Sequence, residues 1–104
     1  MRLFNLKRGK GKTIRMLYAS EFNHIPILCH DNIAKQHLIS KAEELEIDIP
    51  TPISVGELSD ARIALNTSGF YVDEIPLVLQ SLIKKINPNY RMVGGTITTY
   101  EEER

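Results

Sequence analysis

Leu3-Phe4-Asn5-Leu6-Lys7-Arg8-Gly9-Lys10-Gly11-Lys12-Thr13-Ile14 is the stretch on which the fold turns. A short apolar run breaks into a basic segment holding two glycines, and glycine takes backbone angles closed to other residues, so the order reads strand and then glycine loop. Beyond it Ile14, Leu17 and Tyr18 fall at helical spacing, which predicts a helix from near Thr13 to Glu21 or Phe22. A glycine loop that opens a helix points backbone N–H groups at an anion. Within it, Gly9, Lys10 and Gly11 let the backbone approach phosphates, Lys12 can reach the outer phosphates, and the Thr13 hydroxyl can hold Mg²⁺. The full phosphate-loop pattern has a glycine where this chain has Leu6, and Gly9 is the nearest substitute, so a shortened or reshaped loop is expected.

The same alternation continues down the chain. A second apolar run over 25–29 stops at His30-Asp31-Asn32, where Asp31 is a good N-cap for a helix over 32–46 with Ala34, Leu38, Ala42 and Leu45 on its inner face. Pro50 and Pro52 punctuate the next connection, 53–55 reads as a short strand, and 57–65 as a weak helix. Residues 66–69 form a turn, and Phe70-Tyr71-Val72 is a compact, buried strand ending in Asp73-Glu74. Pro76 suits the first turn of an apolar helix carrying Leu77, Val78, Leu79, Leu82, Ile83 and Ile86, which Asn87-Pro88-Asn89 stops. A last strand is expected over 91–98. Strands alternating with helices predict an α/β class, a three-layer domain with a mostly parallel sheet of four or five strands.

Composition narrows the function. One hundred and four residues suit one domain, and thirteen Lys+Arg against thirteen Asp+Glu leave no global basic excess of the kind a dedicated nucleic-acid binder carries. The 42% hydrophobic and 25% charged content is that of an ordinary folded domain. A single Cys29 cannot form an internal disulfide, and the opening residues hold no long apolar stretch, so the expected address is the cytoplasm with no membrane association.

The strand before Asp73 and Glu74 would deliver both carboxylates to the C-terminal edge of the sheet, where open α/β sheets bind ligands and where the first helix also begins. There Asp73 can hold the water shell of Mg²⁺, and Glu74 can orient or deprotonate an attacking water. On these motifs the chain resembles a minimal P-loop NTPase of the class that sets a glutamate beside the Walker B aspartate, as helicases and ATPase motors do. It is similar to small P-loop proteins carried by bacteriophages and plasmids. The likeness takes residues 9–13 as Walker A, 27–31 as the second strand and helix cap, 72–74 as Walker B, and Gly95-Thr96-Ile97-Thr98-Thr99 as a polar sensor at a strand end. It implies a truncated P-loop core over 1–104 that binds ATP or GTP with Mg²⁺, with Thr98 near the γ-phosphate. No arginine finger can be assigned and the chain ends where a helicase would continue, so strong hydrolysis is expected to need a protein partner or a second copy. The competing expectation is a non-catalytic protein of a mobile element that uses this scaffold to engage or inhibit a host macromolecule, such as a defence system, in a bacterial or phage-infected cell.

Other residues carry plainer readings. Lys7, Arg8, Lys10, Lys12 and Arg15 could meet nucleic-acid phosphates, but such a run is more often solvated and no interleaved aromatic favours base stacking. Cys29, His30, Asp31 and His37 contain zinc-ligand types, yet Cys29 reads more simply as core and His30-Asp31 as a helix start. Asp73 and Glu74 could simply favour a helix dipole. Tyr18, Phe22, Phe70 and Tyr71 read as core or partly buried residues.

Overall fold

Ile27, Leu28 and Cys29 form β1 (Ile27–Cys29), and all three are buried. The computed structural model of the chain describes residues 10–60, 67 and 69–96, and sets β1 between two parallel neighbours in the order β2-β1-β3. Leu28 and Cys29 pair with β2 (Ile53–Ser54), while Ile27 and Leu28 pair with β3 (Tyr71–Val72). A strand buried on both faces reads as a continuous apolar run, the form a helix-covered parallel sheet requires. Successive side chains point to opposite faces. Ile27 and Cys29 therefore pack with Met16 and Leu17 of α1 (Lys10–Asn23) and with Leu38 and Ala42 of α2 (Asn32–Glu44). Leu28 packs the other way, against Val55 of α3 (Val55–Leu58) and Val78 of α4 (Ile75–Ile86). The domain is thus α/β, with helices on both faces of a parallel sheet.

Local chemistry explains the boundaries. The Asp31 carboxylate accepts the Ala34 N–H at 2.8 Å and opens α2. The helix stops at Glu44, two residues before the expected end. Glu46 adopts a left-handed backbone (φ 57°), its N–H donates to the Glu43 carbonyl, and the Ile47 N–H reaches the Ala42 carbonyl at 2.8 Å. That pair of bonds is a Schellman closure, and it tucks Ile47 into the core beside Ala42. α3 begins at Val55 rather than 57 because Ser54 and Glu57 form a reciprocal capping box, and it ends at Leu58, with Ser59 as its C-cap. Glu57 also takes two hydrogen bonds from Lys35 Nζ, at 2.9 and 3.0 Å, tying α3 to α2.

Four expectations are corrected. Lys10 to Thr13 form the first turn of α1 instead of the end of a loop. Gly11 there costs about 1 kcal/mol of helix propensity, a cost that burial of Met16 and Leu17 one turn on offsets. Residues 91–96 carry no strand: Gly94-Gly95 has no side chains to pack, Val93 is 92% exposed, and the Met92 N–H is taken by Gln80 Oε1. Tyr18 and Phe22 are exposed, lying opposite the Met16-Leu17-Ser20 side that α1 buries. Tyr71 and Val72 are only half-buried, because β3 has a single partner among the described strands. The expected first strand at Leu3, together with Gly9 and Thr98, lies outside the described residues, as does most of 57–65 beyond Asp60.

Candidate functional site

Parallel pairing brings the ends of β1 and β3 out at one edge. Leu28 lies opposite Val72, and the Asp73 N–H donates to the Leu28 carbonyl at 2.9 Å, so Cys29-His30-Asp31 and Asp73-Glu74 emerge side by side. His30, Asp31, Asp73 and Glu74 line a cleft of about 710 Å³, which Thr13 of α1 also enters. The opposite wall is one face of α2, from Ile33 and His37 to Lys41 and Glu44. Three segments far apart in sequence thus converge on one edge. Lys12 precedes Thr13 in the first turn of α1, and its charge is felt at Asp73.

Electrostatics at this edge are unbalanced. The Asp73 carboxyl is raised above the usual carboxylate range, first by burial and then by the neighbouring Glu74 charge; His30 and Lys12 pull the other way without cancelling the rise. Burial, reinforced by Asp73, also pushes the Cys29 thiol up to about 11, so it stays protonated at neutral pH. Its Sγ lies 3.4 Å from the Ile53 carbonyl, a small buried donor rather than a metal-ligating thiolate. His30 Nε2 stands 3.4 Å from Asp31 Oδ2, while His30 Nδ1 is buried without a hydrogen-bond partner among the described residues.

The backbone is also unusual here. Glu74 is the N-cap of α4, yet it sits in the left-handed region (φ 54°, ψ 66°) and its side chain makes no capping bond. Its carbonyl accepts the Leu77 and Val78 N–H groups, at 2.9 and 3.1 Å, and the side chain lines the cleft. A left-handed non-glycine residue costs about 1–2 kcal/mol. An ordinary acidic cap would pay back that cost by satisfying the helix N-terminus, and Glu74 does not.

Of the residues singled out in the sequence, Thr13, Asp73 and Glu74 share the cleft, and the charge of Lys12 reaches it. Lys10 and Gly11 lie on the same first turn of α1. His30, Asp31 and His37 also line the cleft. Among the described residues no group of three His, Cys, Asp or Glu side chains is arranged to hold a metal ion. The oxygens of Thr13 and Asp73 suit a hard cation that keeps most of its ligands as water and phosphate, the habit of Mg²⁺. The raised Asp73 beside Glu74 marks a spot where added positive charge is favourable. Ile33 escapes sequence reasoning altogether: apolar residues near a helix start normally signal core, yet it is 69% exposed at the cleft. Among the described residues no helix is long and apolar enough to cross a membrane. No family model, curated protein or solved structure matches the chain.

Proposed function

We propose that this chain is a P-loop NTPase-like protein that binds ATP or GTP with Mg²⁺ at the C-terminal edge of its sheet and hydrolyses it slowly, or only with a partner. The observation that carries the reading is the convergence of Thr13, Asp73 and Glu74 on one cleft, with Lys12 in electrostatic reach. Lys12 neutralises the β- and γ-phosphates, and the N–H groups at the start of α1 face the same charge. Thr13 and Asp73 hold the metal and its waters. A bound Mg²⁺ supplies charge neutralisation on the phosphate oxygens. Glu74 orients the attacking water and receives its proton. Because Asp31, Asp73 and Glu74 crowd the cleft, a metal-free triphosphate is repelled and binding depends on Mg²⁺. The reading includes a cytoplasmic setting and a second copy or protein partner supplying the missing positive charge.

The test is calorimetry with ATP and GTP, with and without Mg²⁺, on the wild type, Lys12→Ala and Glu74→Gln. The expected outcome is Mg²⁺-dependent binding that Lys12→Ala abolishes, with Glu74→Gln binding normally and turning over at least a hundredfold more slowly. Equal turnover by Glu74→Gln would remove its assigned role.

A second reading draws on two observations. Lys10 to Thr13 are helical, and the surface exposes Phe22 (84%) and Ile86 (80%). Both suit a mobile-element protein that keeps the scaffold and docks on a host macromolecule. On that reading nucleotide leaves the melting temperature unchanged, and Phe22→Ser or Ile86→Ser abolishes capture of a stoichiometric partner.

A further inference from the structure

We propose that the α2 half of the cleft is a phosphoryl-acceptor subsite for an uncharged, hydroxyl-bearing molecule with a flat ring, of the nucleoside class. The inference rests on the nucleotide reading above and names the second substrate of that site. Hydrolysis alone needs room for one water beyond the γ-phosphate, whereas the cleft that receives the phosphates runs on along α2, which supplies seven of its twelve lining residues. Its layout places the spare volume. Thr13 enters from α1, the Asp73 and Glu74 carboxylates stand at the junction, and α2 forms the wall beyond.

Along α2 the lining positions Ile33, His37, Ser40, Lys41 and Glu44 succeed one another at helical spacing, a single stripe roughly 16 Å long. Ile33 begins it, a large apolar side chain left 69% exposed, and Ala34 and Leu38 extend the apolar lining beside it. With His37 one turn on, it offers an apolar and imidazole surface for a flat ring. Ser40 follows with a hydroxyl, and Lys41 and Glu44, paired at 3.7 Å, present a donor and an acceptor. Charge then selects the occupant. Asp31, Glu44, Asp73 and Glu74 outnumber Lys41 along the lining, which opposes a second anion and leaves an uncharged acceptor favoured. A free nucleoside combines the flat ring, the hydrogen-bonding edge and the hydroxyls.

With the acceptor seated, its hydroxyl oxygen bonds to the γ-phosphorus as the bond from that phosphorus to the β–γ bridging oxygen breaks. The hydroxyl proton passes to the Glu74 carboxylate, and the nucleoside diphosphate departs with the bridging electron pair. With the subsite empty, water takes the same position, and slow hydrolysis results.

The experiment incubates the full chain with Mg-ATP and adenosine, guanosine, cytidine or uridine in turn, follows products by phosphorus NMR, and measures binding by calorimetry for the wild type, Ile33→Ser and His37→Ala. The expected result is a nucleoside monophosphate signal with at least one nucleoside. Binding of that nucleoside should weaken at least tenfold in Ile33→Ser and in His37→Ala, while Mg-ATP affinity stays within twofold and the melting temperature is unchanged. Only inorganic phosphate with all four, no nucleoside binding, or an equal loss of Mg-ATP and nucleoside affinity in Ile33→Ser overturns the subsite and leaves the nucleotide reading standing. Failure of the wild type to bind Mg-ATP overturns the nucleotide reading, and the subsite with it.

Discussion

The α1–α2 face of the sheet and its C-terminal edge are built by opposite rules. On the face, Leu17, Ser20, Ile27 and Cys29 are fully buried, and the Ser20 hydroxyl donates to the Ile25 carbonyl at 2.6 Å, so volume and polarity are both satisfied. At the edge, a half-buried carboxyl stands beside a second one, a buried imidazole nitrogen lacks a partner among the described residues, and Glu74 holds a left-handed backbone without capping α4. The face shows what the chain does for stability. The edge gives up stability at adjoining positions, and such departures gather where a ligand is expected to complete the arrangement.

The largest expected effect lies in the core. Leu17→Ala should cost about 2–5 kcal/mol, lowering the melting temperature by at least ten degrees; a loss under about 1 kcal/mol would mean that the face is not the tightly packed region described. Next comes the brace between α2 and α3. Glu57→Ala removes the capping box and both Lys35 bonds and should cost about 1–2 kcal/mol by chemical denaturation. Its hydrogen bonds hold the Glu57 carboxyl below the usual range, so this contribution is present above the ordinary carboxylate value and is lost as pH falls through the lowered one.

Edge substitutions should have the opposite sign. Glu74→Gly relieves the left-handed backbone and, without ligand, should stabilise the protein by about 1 kcal/mol while ending turnover. Asp73→Asn should also raise the melting temperature of the ligand-free protein at neutral pH. Its folded value lies above the unfolded one, so ionisation costs stability as pH rises through the raised value, and the gain should vanish below the ordinary carboxylate range. A melting temperature that drops in both variants would make the edge an ordinary structural element. The smallest effect is at Cys29, whose buried thiol, with a value near 11, should alkylate far more slowly in native protein than in denaturant at pH 7.5.

Much of this was legible in the residues. The apolar run at Ile27 and the stripe of Leu38 and Ala42 gave the central strand and its covering helix, because burial on both faces and helical periodicity leave direct marks on composition. Asp31 declared its cap. Asp73 and Glu74 were readable as a strand-end pair because the β3 segment precedes them immediately. The exposure of Phe22 and Ile33 was not legible, since an aromatic or branched residue beside core positions looks like core until the helix phase is fixed. The end of α2 was missed because Glu46 takes a left-handed turn that glycine usually signals. Likewise the strand-like run near Met92 yielded to its glycines and to the Gln80 side chain.

The most direct test of the central claim is backbone amide NMR of the full chain titrated with Mg-ATP at physiological ionic strength, repeated without Mg²⁺. Saturable shifts are expected at Lys12 and Thr13, at Cys29 to Asp31, and at Asp73 and Glu74, with α3 little affected and the effect lost without the metal. Shifts spread elsewhere on the surface, or none at millimolar Mg-ATP, would contradict it.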